Sequence, residues 1–242
     1  MARTAVAGYG SAVSGCTNCG SKTGCDDRKG SMFERIDDAM ARLYPDRRWR
    51  APAPTARGVR DATDDAAALA DELADALNAA TFVRTATPTD SAFIYVLCQG
   101  RPPCAVPVRD GDLPIPDEWQ TLPAGQPIEE RYLRIALATQ LPFAAVQEVA
   151  VDVTIEPDGV LIRERPSAGV YSAPLLPRMQ RLVATLPAYG RLNIDMGEIS
   201  GPPADFDAGE WPGLYAGTPA IVNYLFFAAP ATMAITTWIP RA

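Results

Sequence analysis

No histidine occurs among the 242 residues. That absence removes Ser-His-Asp and Cys-His catalysis, histidine-ligated zinc sites and the two-histidine iron triad. Any acid–base chemistry then falls to carboxylates, Lys, Tyr or Cys. Basic residues are also in deficit: 22 Lys and Arg against 29 Asp and Glu leave a formal charge of −7. Phosphate binding needs a net basic face, so no nucleic-acid partner is expected, and a polybasic membrane anchor is disfavoured. Long apolar runs are missing too. The longest, near 221–229 and 233–239, are strand-length, far short of the roughly 20 residues that span a bilayer, so no membrane span is expected. Val13-Ser14-Gly15-Cys16 has the outline of a lipoprotein cleavage box, but Gly and Tyr interrupt the residues before it, which fail as an apolar signal core. A cytoplasmic protein is the expectation. There thiols stay reduced, and clustered cysteines bind metal more often than they form disulfides.

Cysteine is scarce but concentrated. Of five in the chain, three fall in Cys16-Thr17-Asn18-Cys19-Gly20-Ser21-Lys22-Thr23-Gly24-Cys25, and two in Cys98-Gln99-Gly100-Arg101-Pro102-Pro103-Cys104. Thiolates are soft ligands that suit zinc or iron–sulfur iron. The CxxC pair can grip one ion from a tight loop, and Gly20 and Gly24 permit the turns that return Cys25 to it. Lys22, Arg28 and Lys29 put positive charge beside the thiolates. The spacing is not a standard ferredoxin pattern, so zinc and an iron–sulfur cluster both stay open. A closed four-ligand site without histidine needs Cys98 or Cys104 as its fourth member. Against that stand two plain readings: a cysteine loop without metal, and Cys98 as a core residue ending a strand.

The hydrophobic pattern reads as α+β, a largely antiparallel sheet with packed helices and a Cys-rich amino-terminal module. Ser31 and Glu34 form a capping box before Phe33, Ile36, Met40 and Leu43, which predicts a helix over 32–44 ended by Pro45. The Arg- and Pro-rich stretch 46–55 reads as a linker, dividing a 1–50 module from a 57–242 body expected to fold alone. Thr63 caps a helix with Leu69, Leu73 and Leu77. Strands are expected at 82–87 and 92–98, with a possible third at 105–109, and Pro127 opens a helix to about Leu141. Residues 113–127 read as irregular. Val149, Val151, Val153 and Ile155 alternate as a half-buried strand does, Glu156-Pro157-Asp158-Gly159 turns, and 160–165 returns. A helix opens at Pro174, and strands near 191–196, 219–227 and 232–239 complete the sheet.

A second chemistry is conceivable at Asp195 and Glu198, followed by an acidic loop with Asp205, Asp207 and Glu210. Carboxylates can act as acids and bases, although a solvated acidic loop is the commoner meaning in an acidic protein. Trp211, Tyr215 and Tyr224 could line a groove there, or serve as core and rim.

The runs CTNCGSKTGCDDRKGSMFERIDDAMARLYP, FIYVLCQGRPPCAV and GTPAIVNYLFF resemble uncharacterised accessory or maturation-type proteins encoded with bacterial nickel–iron hydrogenases. The resemblance covers the amino-terminal knot and two short core segments. It implies a cytoplasmic protein that handles a metal or cluster and contacts a redox enzyme. The expected function is therefore a non-catalytic thiolate-metal or iron–sulfur protein with Cys16, Cys19 and Cys25 as ligands, completed by Cys98 or Cys104. The alternatives are a carboxylate-dependent enzyme acting on a small molecule and a structural-zinc interaction module.

Overall fold

The computed structural model describes residues 32–50, 56–86, 91–108, 117–125, 127–138, 140–167, 171–209, 218–226 and 235–240. Cys16, Cys19, Cys25 and the Trp211–Tyr215 stretch lie outside them.

Helices α1 (Met32–Leu43) and α2 (Ala56–Leu77) lead into strands β1 (Thr81–Ala86) and β2 (Ser91–Gln99). One-turn helices α3 (Ala105–Val108) and α4 (Asp117–Gln120) precede the long strands β3 (Pro127–Ala138) and β4 (Phe143–Glu156), and β5 (Gly159–Pro166). Next come α5 (Leu176–Thr185), β6 (Leu192–Ile194), α6 (Met196–Ile199), α7 (Ile221–Phe226) and β7 (Ile235–Pro240). The strands run β1-β2-β3-β4-β5-β7, with antiparallel neighbours throughout, and β6 adds in parallel to the start of β4. The fold is α+β, built on an antiparallel sheet.

Alternation along the strands divides the interior into two cores. On β2, Ala92, Ile94 and Val96 point to the face covered by α2 and α5, where Leu69, Leu73 and Leu182 meet them. Phe93, Tyr95 and Leu97 point to the other face, with Tyr132, Val149, Val151 and Val153. The second core takes in α1 and α7. Ile36, Ala39, Met40 and Tyr44 recur at helical spacing and are buried against it, as is Trp49 just beyond. Burying Ile36 and Met40 contributes about 1.5–3 kcal/mol each. The helix placed in the amino-terminal module thus shares its core with the body.

Several expected elements are confirmed. The helix at 32–44, the two strands at 81–86 and 91–99, the β4–β5 hairpin, the helix after Pro174 and the final strand are all present, and the Leu69–Leu77 helix is present but starts at Ala56, so Thr63 lies within it and is not its cap. Three differ. Residues 127–138 are a strand, not a helix. Their apolar run is buried on both faces, with Leu133, Ile135 and Leu137 toward α2 and Tyr132, Ala136 and Ala138 toward α1. Such a run carries no period-2 signal, and full-length pairing with β2 and β4 overrides the helix-like opening Pro-Ile-Glu-Glu. Residues 221–226 form a helix, not a strand. It is buried nearly all round, and the Asn223 side chain accepts from the Ala220 N–H at 2.8 Å. Residues 105–108 form a helical turn, not a third strand.

Candidate functional site

β3 is the spine of the best-formed polar site. Its Ile128, Glu130 and Tyr132 alternate onto the α1 face. Glu130 is 1% exposed. Its Oε2 accepts from the Tyr132 hydroxyl at 2.5 Å and from the Ala105 N–H at 3.0 Å, tying α3 to β3. Its Oε1 is buried with no hydrogen-bond partner among the described residues. Burial raises the Glu130 pKa, partly offset by the Tyr132 and Ala105 hydrogen bonds.

Cys104 completes this cluster. It is buried, and burial together with the nearby Glu130 charge pushes its thiol up to about 11, against a weaker opposing hydrogen bond from Tyr132. Tyr132 is raised as well, by burial and by Glu130. The Cys104 thiol and the Tyr132 phenol hold their protons at ordinary pH, so neither is an activated nucleophile.

Cys98 lies on the other side of the sheet. It packs with the α2–α5 core, whereas Cys104 belongs to the α1 core. The sheet separates the two sulfurs, so they cannot grip one ion together. The Cys98 thiol is partly buried, and burial raises its pKa while the Arg178 guanidinium opposes the rise. Arg178 also donates to the Cys98 carbonyl at 3.1 Å. Among the described residues, no group of three or more Cys, Asp or Glu side chains is arranged to hold a metal ion.

The acidic residues near the carboxyl end have structural work. Asp195 is the N-cap of α6, its Oδ1 accepting from the Gly197 N–H at 2.7 Å, and Glu198 is an exposed first-turn residue. Asp207 anchors the segment after α1. Its carbonyl accepts from Trp49 N–H at 3.0 Å, its N–H donates to the Arg47 carbonyl at 2.8 Å, and its carboxylate lies 3.6 Å from Arg48. Asp205 lies 3.7 Å from Arg47. The Tyr224 hydroxyl donates to the Asp207 carbonyl at 3.0 Å, and Tyr44 donates to the Tyr224 carbonyl at the same distance. Tyr224 is therefore a core residue that joins α1, α7 and this loop.

Beside the Glu130 cluster, the Gln99–Pro103 crossing, α4 and the start of β3 enclose a cleft of about 490 Å³. Gly100 crosses directly over β3 at φ +134°, where an added Cβ would stand 3.2 Å from Glu130 Cγ. Cys104 and Gly100 stand out in the sequence, whereas Glu130, Tyr132 and Trp119 do not. The one available signal was the alternation of Ile128, Glu130 and Tyr132, hidden inside a stretch that reads equally well as a helix start.

Comparison with protein-family models, curated proteins and solved structures returned no match. No helix among the described residues is long and apolar enough to cross a membrane.

Proposed function

We propose that the protein is a non-catalytic thiolate-metal or iron–sulfur protein that assists a redox enzyme by assembly, docking or electron relay. Cys16, Cys19 and Cys25 hold the metal, zinc or a cluster, in a reducing cytoplasmic setting. The observation that carries the reading is the CxxC and the returning third cysteine, with glycines at both turns. The body fits a supporting role: its buried phenol and thiol keep their protons, and its acidic loop is occupied in tying α1 to the sheet.

The fourth ligand comes from Cys98 or from the partner. Cys98 is half-buried with a guanidinium beside it, whereas a Cys104 thiolate would be buried next to Glu130. The partner is a protein of the hydrogenase type to which the amino-terminal resemblance points.

Each of Cys16, Cys19 and Cys25 is changed singly to Ala, and bound metal is counted by native mass spectrometry. Loss in each variant is expected. Full retention in all three overturns the proposal.

A further inference from the structure

β7 closes the sheet at one end, and among the described residues nothing pairs with its outer edge. It is matched to β5 from Ile235 to Pro240 without a bulge. Exposed edges are usually blunted by charge, by a proline within the strand or by a bulge. β7 reads Ile-Thr-Thr-Trp-Ile-Pro: it has no charged residue, and its proline is the last position. The opposite edge strand, β1, carries Arg84. The sheet face beside β7 is open as well. From Val149 onward β4 alternates buried with half-buried residues, and Arg163 and Arg165 of β5 are exposed. Trp238 lies on this face, opposite Leu161 and with its indole against Gly159. At 44% it is the most exposed large apolar side chain among the described residues. Arg165 is held by Asp152 at 2.8 Å, whereas Arg163 forms no ion pair with a described residue.

We propose that β7 pairs antiparallel with β7 of a second copy of this chain, joining two sheets across a two-fold axis at Thr237. This register sets Trp238 opposite Thr236 of the second copy. The two indoles become diagonal neighbours on the open face, roughly 7–8 Å apart at the backbone and within reach of each other. Arg163 already stands beside Thr236, so Arg163, Thr236 and the second copy's Trp238 fall in one row. Arg163 and that indole are then two strand spacings apart, roughly 10 Å. The small Thr236 between them lets the guanidinium reach the ring face. A second copy thus answers the exposed indole and the uncommitted cation together, and does so twice by symmetry. A foreign strand would have to supply an aromatic at that one position. An uncharged strand is also what self-pairing requires in a chain of net charge −7, since a charge at the axis would face itself.

The test is sedimentation velocity of the full chain from about 1 to about 100 µM, a span that brackets micromolar association. Wild type should pass from monomer to dimer. It should do so equally with Cys16, Cys19 and Cys25 replaced by Ala, which separates this contact from the amino-terminal thiolates. Trp238→Ala and Thr236→Lys, both at exposed positions, should each raise the dissociation constant roughly tenfold or more, with circular dichroism unchanged. The two copies of position 236 are diagonal neighbours as well, so mixing Thr236→Lys with Thr236→Glu should restore association. A dimer insensitive to both substitutions would place the interface elsewhere and overturn the proposal. So would a chain that stays monomeric at about 100 µM, whether its β7 amides exchange freely or are already protected by residues of its own.

Discussion

Glu130 has no cation partner among the described residues, and it lies under Gly100 and beside Cys104. Its fate is set by desolvation. Desolvation disfavours the carboxylate more than the Tyr132 and Ala105 hydrogen bonds favour it, so its pKa is raised. The consequence for stability has a definite sign. Below the ordinary value of 4.5 both folded and unfolded chains are protonated and the contribution is complete. Between 4.5 and the raised folded value the unfolded chain releases a proton that the folded chain retains, so stability falls as pH rises, and the fall ends above the folded value. Urea denaturation from about pH 5 to about pH 8 should show this slope in wild type and lose most of it in Glu130→Gln. An unchanged slope in the variant would mean that Glu130 is ionised and paired. In the linear sequence only its alternation with Ile128 and Tyr132 marks this residue, because burial of a Glu is decided by β2 and β4 pairing around it.

Elements with a strong period were legible. The Val149–Ile155 alternation and the Glu156–Gly159 turn specify one hairpin, and the leucines of α2 have one face to bury. β3 and α7 were misread for a common reason. The second half of β3 and nearly all of α7 are buried, so neither carries a regular polar face to set its period, and each local preference yields to tertiary contacts. The acidic loop is solvated, as expected of an acidic protein, with the Asp205 and Asp207 side chains exposed. Its carboxylates were legible as a cluster, but backbone pairing with Arg47 and Trp49 is a long-range fact. That pairing depends on Gly209, at φ +56°, where an added Cβ would stand 2.1 Å from the Trp49 carbonyl oxygen. Gly209→Ala should therefore destabilise by about 2 kcal/mol or more, through both the left-handed backbone and the clash, read as a lower urea midpoint. Wild-type stability in that variant would show that the strand-like contact between 48 and 207 is dispensable.

For the whole molecule, the decisive question is what the amino-terminal residues share with the sheet. A boundary at 46–55 leaves α1 on the amino-terminal side, yet Ile36, Met40 and Tyr44 lie in the same core as Tyr132 and Phe226. Removing residues 1–31 should leave a cooperative thermal transition. Removing 1–50 should expose that core and lower the transition sharply, since single large core truncations already cost about 2–5 kcal/mol. Equal transitions for the two deletions would show that 57–242 is an independent unit.

The account as a whole rests on the amino-terminal thiolates. Its most direct test is metal analysis of the full chain purified without oxygen, with visible absorption recorded on the same sample. Stoichiometric zinc in a colourless protein, or iron with sulfide and broad visible absorption, is the predicted result, lost when Cys16, Cys19 and Cys25 are all replaced by Ala. A metal-free protein with its cysteines recovered as free thiols or disulfides would contradict the claim.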